Sequence, residues 1–298
     1  DRDSLWFDEA FSASIAEWSP RAIILQTVEL GLRSTDRNIF HLMLHYVLLW
    51  GQTETLVRAI PAASGVLSVV ALYALGKRLM GQAVGLLAAF FLAISPFHIW
   101  FSREGRGYAL LTLFGLRAAY FMLRALDDNR LSSWLGYVVL AGLAAYTHSF
   151  GVLVIGALNL FALIHFVARR GPARTAAAWF VAQATLALAL APMLLAFTGQ
   201  SSEGWGAWIG EKYGVPTLKN LALTMGMFSF GAAYNGERLL YAVALLVFAA
   251  PCLAALLAVV RRARQPQWWV TCARPMVFAL LYLCAPIAAL FVASQITP

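Results

Sequence analysis

The side chains that could do chemistry stand in short polar segments between long apolar runs. Asp8 and Glu9 are adjacent in segment 4–12, and a carboxylate can take a proton from an attacking hydroxyl. Arginine can hold two phosphate oxygens in a fixed geometry. Further candidates lie near the ends of the apolar runs. They are Arg58, His98, Arg103, Glu104, Arg106, Tyr108 and His148. Together these residue types suit a reaction with a phosphate leaving group.

The same residues also have a purely structural interpretation. Asp8 and Glu9 would stabilise the N-terminus of a following helix through its dipole. The arginines would anchor helix ends by reaching lipid headgroups. The histidines would be packing residues with satisfied ring nitrogens. The residues alone leave both interpretations open.

The elements that position these residues follow from the composition. The chain of 298 residues is 61% hydrophobic and only 12% charged, against about 25% charged residues in a soluble domain. A membrane-spanning helix needs about 20 mostly apolar residues, and its backbone polar groups are satisfied inside the helix. We therefore predict an all-α, polytopic bundle of transmembrane helices.

The apolar runs predict about eight membrane helices. In chain order we place them at 54–79, 83–101, 107–125, 133–149, 151–168, 176–197, 239–260 and 276–294.

The distribution of charge predicts the orientation of the bundle. Eleven of the 22 lysines and arginines fall on alternate connections, at 77–78, 124–130, 169–174 and 261–274. Of the 14 acids, only Asp127 and Asp128 share that side. The positive-inside rule makes that side cytoplasmic. The catalytic candidates then lie on the extracytoplasmic face.

Two polar segments lie outside in this topology. Residues 1–52 form an extracytoplasmic first loop with interfacial helices, and residues 53–298 form the bundle, with an outer loop at about 198–238. The apolar stretch 39–50 is too short to span, so we place it flat on the membrane or against the bundle. The aromatic residues of 198–238 suit either an interfacial belt or a substrate-binding loop.

Several function classes are disfavoured by the sequence. The net charge of +8 comes from basic residues scattered over short loops, whereas a nucleic-acid surface needs a contiguous basic face. Cys252, Cys272 and Cys284 lie outside the predicted outer loops, so we expect no disulfide framework there. The Asp-Arg-Asp at 1–3 lacks a Rossmann pattern around it. We identify no cofactor motif and leave a divalent metal open.

Four motifs carry a family resemblance. They are LWFDEA at 5–10, WGQTE at 50–54 followed by RAIP at 58–61, SPFHIWFSREGRGYAL at 95–110, and YTHSFG at 146–151. With these motifs the chain resembles the GT-C glycosyltransferases of the dolichyl-phosphate-mannose protein mannosyltransferase type (family 39), whose bacterial relatives include the lipid A aminoarabinose transferase. The resemblance extends from residue 4 to about residue 260.

The resemblance implies a transmembrane bundle with interfacial helices in the first outer loop. It implies a multi-pass protein of the bacterial inner membrane that uses a polyprenyl-phosphate sugar on the extracytoplasmic face. Asp8 would be the catalytic carboxylate and Glu9 its neighbour. Many relatives have Pro-Pro-Leu-Tyr where this chain has NIFHL at 38–42, so donor contacts there do not carry over. The family's helix before the first loop is missing, and we therefore expect a fragment.

The mechanism that we expect joins both lines of reasoning. Arg58, Arg103 or Arg106 stabilises the departing phosphate. Asp8 deprotonates an acceptor hydroxyl, which attacks the anomeric carbon from the opposite face with inversion. Glu104 orients an arginine or helps to hold a metal. The remaining substrate-binding candidates are Tyr108 and His148. The partners are the donor, membrane lipid, and a lipid, glycan or protein acceptor.

Two other classes of function remain as alternatives. A transporter would place ionisable residues and broken helices near the bilayer midplane, whereas the carboxylates here avoid the predicted spans. A non-catalytic membrane scaffold would tolerate the loss of Asp8.

Overall fold

The computed structural model describes residues 5–29, 38–169, 172–198, 216–217, 219–220, single residues between 243 and 261, and 273–296. The regular secondary structure of these residues is helical, which confirms the predicted all-α bundle. The helices with described bounds are α1 (Phe7–Ala16), α2 (Pro20–Glu29), α3 (Asn38–Leu48), α4 (Glu54–Met80), α5 (Gln82–Ala93), α6 (Pro96–Arg103), α7 (Tyr108–Asp128), α8 (Leu131–Thr147), α9 (Gly151–Arg169), α10 (Ala173–Thr198) and α11 (Arg274–Ile296).

Five of these helices, α4, α7, α9, α10 and α11, are long and apolar enough to cross a membrane. They correspond to five of the predicted spans. The predicted span 133–149 is α8, which at 17 residues is shorter than the others. The predicted span 239–260 and the outer loop at 198–238 lie almost wholly outside the described residues. The protein is therefore a polytopic membrane protein.

The predicted single span 83–101 is instead two helices. α5 and α6 meet at a bend of 59° after Ala93. Proline disfavours the helical conformation in the residue before it and is well tolerated in the first turn of a helix. Ser95 and Pro96 therefore end one helix and start the next. If the bent pair is counted as one span, the described residues contain six.

The bend brings α6 against α4. His98 donates a hydrogen bond from Nε2 to the carbonyl oxygen of Gly65, at 3.1 Å. A Cβ atom at Gly65 would lie 2.7 Å from Cβ of Ser102, so the two helices can approach this closely only at a glycine. This contact fixes where the turn after α6 emerges.

Charged residues mark the two ends of α4. The helix begins at a Thr53 cap, whose hydroxyl accepts the N–H of Leu56 at 3.3 Å. Near its other end, Arg78 forms an ion pair with Asp127 of α7 at 2.7 Å. Arg58 and Arg78 are separated by about 30 Å along the helix, which is the thickness of a hydrocarbon core.

The described residues divide into two compact units. The first holds α1 to α5, α7, α8, α10 and most of α6, and the second holds α9 and α11. In the second unit, the rings of Phe161 and Phe278 meet edge to face at 5.1 Å. All the candidate catalytic and binding residues belong to the first unit.

Helix α3 fastens α1 to the rest of the first unit. It contacts α1, α2, α4 and α8. Its side chains Phe40 and Leu44 are fully buried in an apolar cluster with Ala16, Val57 and Leu110. Within the apolar stretch 39–50, the part that belongs to α3 therefore packs against the bundle. Burial of this cluster holds α1 beside the starts of α4 and α7, through Ala16 at the end of α1 and Leu5 just before its start.

Candidate active site

Glu9 lies in the first turn of α1 and is buried, with 1% of its surface exposed. Arg58 donates to both carboxylate oxygens, from Nε to Oε1 at 3.0 Å and from Nη2 to Oε2 at 2.7 Å. The backbone N–H of Gly105 donates to Oε1 at 2.7 Å, and that of Trp6 to Oε2 at 3.2 Å. These four hydrogen bonds satisfy the carboxylate and join α1, α4 and the turn after α6.

The pKa of Glu9 reflects these contacts. Burial by itself raises the pKa of a carboxyl group, because it disfavours the charged form. Here the hydrogen bonds from Arg58, Gly105 and Trp6 outweigh burial and hold the pKa of Glu9 below its ordinary value. Glu9 is therefore a stable anion and a weak base.

The backbone of Gly105 approaches Glu9 more closely than any other residue type would allow. A Cβ atom at this position would lie 2.7 Å from Cγ1 of Val57 and 3.3 Å from Oε1 of Glu9. The first distance is shorter than real Cβ contacts, so glycine is required for the amide to reach the carboxylate.

Asp8 is the neighbour of Glu9 in the chain but lies in a different environment. Its side chain is 54% exposed. Among the described residues, its carboxylate accepts a hydrogen bond from Nη1 of Arg106 alone, at 2.7 Å from Oδ2. Arg106 lies in the turn between α6 and α7 and keeps only 18% of its side chain exposed. An accessible carboxylate thus lies beside a partly buried cation.

Aromatic rings support Arg106. Its guanidinium lies over the ring of Tyr108, 5.3 Å from the centroid. The Tyr108 ring in turn contacts the rings of Phe101, at 4.9 Å, and His148, at 5.2 Å. His148 is buried, and its Nδ1 accepts the N–H of Phe150 at 3.1 Å, so a neutral ring carries its proton on Nε2. His148 therefore backs Tyr108 and does not line the open side of the site.

The remaining candidates are Arg103, the last residue of α6, and Glu104, in the turn that follows it. The side chain of Arg103 is exposed and forms no ion pair with the residues that the structure describes. Glu104 is partly buried, and its carbonyl oxygen accepts the N–H of Arg106 at 2.7 Å, which tightens the turn. Within the described chain, no group of three or more histidine, cysteine or acidic residues is arranged to hold a metal ion.

The structure thus brings Asp8 and Glu9 together with Arg58 and Arg106, although about 50 to 100 residues separate each acid from its arginine. Sequence reasoning missed Gly105 and Trp6. A signal for Trp6 existed, since a Glu three residues after a helix cap often accepts the N–H of the cap residue. No local signal indicates that Gly105 donates to Glu9.

Comparison with known proteins identifies the family. No curated protein matches the chain. A family model for dolichyl-phosphate-mannose-protein mannosyltransferases matches residues 39–195, which is just over half of the chain. The chain belongs to this family. It is a membrane glycosyltransferase of the GT-C type, as the sequence motifs indicated.

The matched residues of this glycosyltransferase include Arg58, the turn from Arg103 to Arg106, and His148. Asp8 and Glu9 precede them, so the family match does not cover the two carboxylates. The two acids nevertheless contact the matched region, because their side-chain partners, Arg58 and Arg106, lie inside it.

Proposed function

We propose that this glycosyltransferase moves a sugar from a polyprenyl-phosphate donor to an acceptor hydroxyl by a single displacement with inversion. The observation that carries the proposal is the exposed carboxylate of Asp8, 2.7 Å from the guanidinium of Arg106. The site therefore holds both a candidate base and a candidate phosphate-binding cation, the two groups that this displacement needs.

Asp8 is the general base in this proposal. The new bond joins the acceptor oxygen to the anomeric carbon while the bond from that carbon to the phosphate oxygen breaks. The acceptor proton passes to Asp8 and later to water. Glu9 is unsuited to this role, because it is buried and both of its oxygens are already hydrogen-bonded. We therefore assign Glu9 as a positioning residue that fixes the start of α1.

Arg106 holds the donor phosphate and stabilises the charge that develops as it leaves. Arg58 is committed to Glu9, which makes it a positioning residue. Arg103, exposed at the end of α6, is the secondary candidate for the phosphate. Tyr108 supports the Arg106 guanidinium, and His148 supports Tyr108.

We place this site on the extracytoplasmic face of a bacterial inner membrane. The opposite ends of α4 and α7 carry Arg78 and Arg124, as the positive-inside rule expects of a cytoplasmic side. Around Asp8, Trp6, Phe7 and Trp100 are exposed, and aromatic side chains of this kind favour the headgroup layer. The donor phosphate would lie at that same level.

The test is sugar transfer by the protein reconstituted in liposomes with short-chain polyprenyl-phosphate sugars. Asp8→Asn keeps the shape of the side chain and removes the proton acceptor, so transfer should fall by about 10²–10⁴. Glu17→Gln, which changes an exposed acid at the end of α1, is the matched control and should leave transfer unchanged.

Near-normal transfer by Asp8→Asn would remove the base from this mechanism, and Glu104 would be the next carboxylate to change. A wild-type protein that transfers sugar from none of these donors would contradict the proposed donor class.

A further inference from the structure

Two acid–arginine pairs lie side by side at the start of α1, and they differ in kind. Glu9 is buried and accepts four hydrogen bonds, two of them from Arg58. Asp8 is 54% exposed, and among the described residues its carboxylate contacts only Arg106. The first pair is locked into the fold, whereas the carboxylate of the second is half open to solvent.

We propose that Arg106 changes partner when the donor binds. Without donor it neutralises Asp8. The donor phosphate then takes over the guanidinium, and Asp8 is left as an unpaired carboxylate that can accept the proton of the acceptor. This inference rests on the proposed function, because it assumes that Arg106 meets the phosphate and that Asp8 is the base.

The chemistry of the groups favours the exchange. A phosphodiester has two non-bridging oxygens that share one negative charge, and their geometry matches the fork of a guanidinium. Asp8 accepts a hydrogen bond from Arg106 at Oδ2, and its carboxylate is 54% exposed, so water screens this ion pair and weakens it. The ring of Tyr108 lies against the guanidinium at 5.3 Å, so Arg106 can be held in place while its anionic partner changes.

The exchange has a consequence for the order of events. Asp8 is available as a base only after the phosphate has bound, so the donor must bind before the acceptor is deprotonated. Without donor, Asp8 is therefore not available to deprotonate an acceptor hydroxyl or a water molecule.

The test is the Kd of a short-chain polyprenyl phosphate, without sugar, measured by calorimetry on the detergent-solubilised full chain. If the phosphate must displace Asp8, Asp8→Asn removes that competition and should tighten binding by about two- to fivefold, the worth of an exposed ion pair. A variant that loses transfer should thus bind the phosphate better. Because Asp8 is exposed, Asp8→Asn should fold normally, and size-exclusion chromatography checks this.

Loss of a negative charge strengthens the binding of any anion, so two further backgrounds are needed. In the Arg106→Gln background, Asp8→Asn should tighten phosphate binding only by the amount that the loss of one negative charge explains. In Arg103→Gln, the effect should persist in full, because Arg103 makes no ion pair with Asp8. Equal effects in the Arg106→Gln and wild-type backgrounds, or no tightening by Asp8→Asn, would overturn the exchange.

The failure of this inference can be told apart from failure of the proposed function. Loss of transfer by Asp8→Asn without tighter phosphate binding would remove the exchange and keep the base. Near-normal transfer by Asp8→Asn would remove the base itself, whatever the Kd.

Discussion

The guanidinium of Arg58 reaches both carboxylate oxygens of Glu9, at 3.0 Å and 2.7 Å, across 49 residues of chain. The pair ties the first turn of α1 to the start of α4. Because the N–H of Gly105 reaches the same carboxylate, the pair also sets the turn that carries Arg106. The position of Asp8 relative to Arg106 therefore depends on its neighbour Glu9.

Glu9→Gln should destabilise the protein, because it leaves Arg58 without its carboxylate partner. Loss of hydrogen bonds to a charged group costs about 1.5–3 kcal/mol, so the melting temperature in detergent should fall. Arg58→Lys should cost less stability, since lysine keeps the charge but loses the paired geometry. A melting temperature of Glu9→Gln equal to that of the Glu17→Gln control would show that the pair adds nothing to stability.

The contribution of Glu9 to stability should depend on pH. The pKa of Glu9 is lowered in the folded protein, so its stabilising effect is complete above about 4.5, the ordinary glutamate pKa, and is lost as the pH falls through the lower folded-state pKa. Thermal unfolding measured from pH 7 downwards should show the wild type converging on Glu9→Gln below pH 4.5. A constant difference between the two proteins down to the lowest pH would contradict this.

Gly105→Ala should impair both stability and transfer. The added Cβ would lie 2.7 Å from Val57 and would push the amide away from Glu9. Gly142→Ala is the control, since a Cβ there would make an ordinary contact with Leu186 at 3.7 Å. Melting temperature and transfer rate should both fall for Gly105→Ala and hold for Gly142→Ala. Equal behaviour of the two variants would show that the close approach at Gly105 is dispensable.

Arg106→Lys should weaken the use of the donor, because lysine keeps the charge but loses the paired donors that match a phosphate. Arg103→Lys, at the end of α6 and without an ion pair to the described residues, should have the smaller effect. The measurement is transfer rate against donor concentration, with the change expected in KM for the donor. If neither substitution alters donor use, the phosphate binds elsewhere.

The proposed topology can be tested with single cysteines. Ser19, between α1 and α2, and Ser132, in the first turn of α8, are both exposed serines at opposite ends of the first unit. In a background with Cys252, Cys272 and Cys284 changed to serine, a cysteine at position 19 should react with a membrane-impermeant thiol reagent in intact cells, and one at 132 should not. The reverse pattern would put the site on the cytoplasmic face.

Where local signals are strong, the sequence by itself determined the bounds of the spanning helices. The predicted span 54–79 is α4, Glu54–Met80, because Thr53 caps its start and Gly81, at φ +92°, follows its end. Apolar length decides that such a segment spans, and nothing distant in the chain is needed for that decision.

The sequence signals that the helix breaks after α5, but it does not signal the direction of the bend. Ser95 and Pro96 signal a break in the predicted span 83–101. The direction of the bend depends on the close contact between Ser102 and Gly65, which lie on different helices. That direction places the turn from 103 to 106 over the start of α1.

The difference between Asp8 and Glu9 was decided only by the tertiary structure. The sequence placed both acids in the site, and adjacent residues on a helix point about 100° apart. Which of them is buried depends on partners that come from far along the chain: Arg58 and Gly105 enclose Glu9, and Arg106 meets Asp8. Because burial and hydrogen bonding set the role of a carboxylate, and both come here from distant helices, no local pattern could separate the buried anchor from the exposed base.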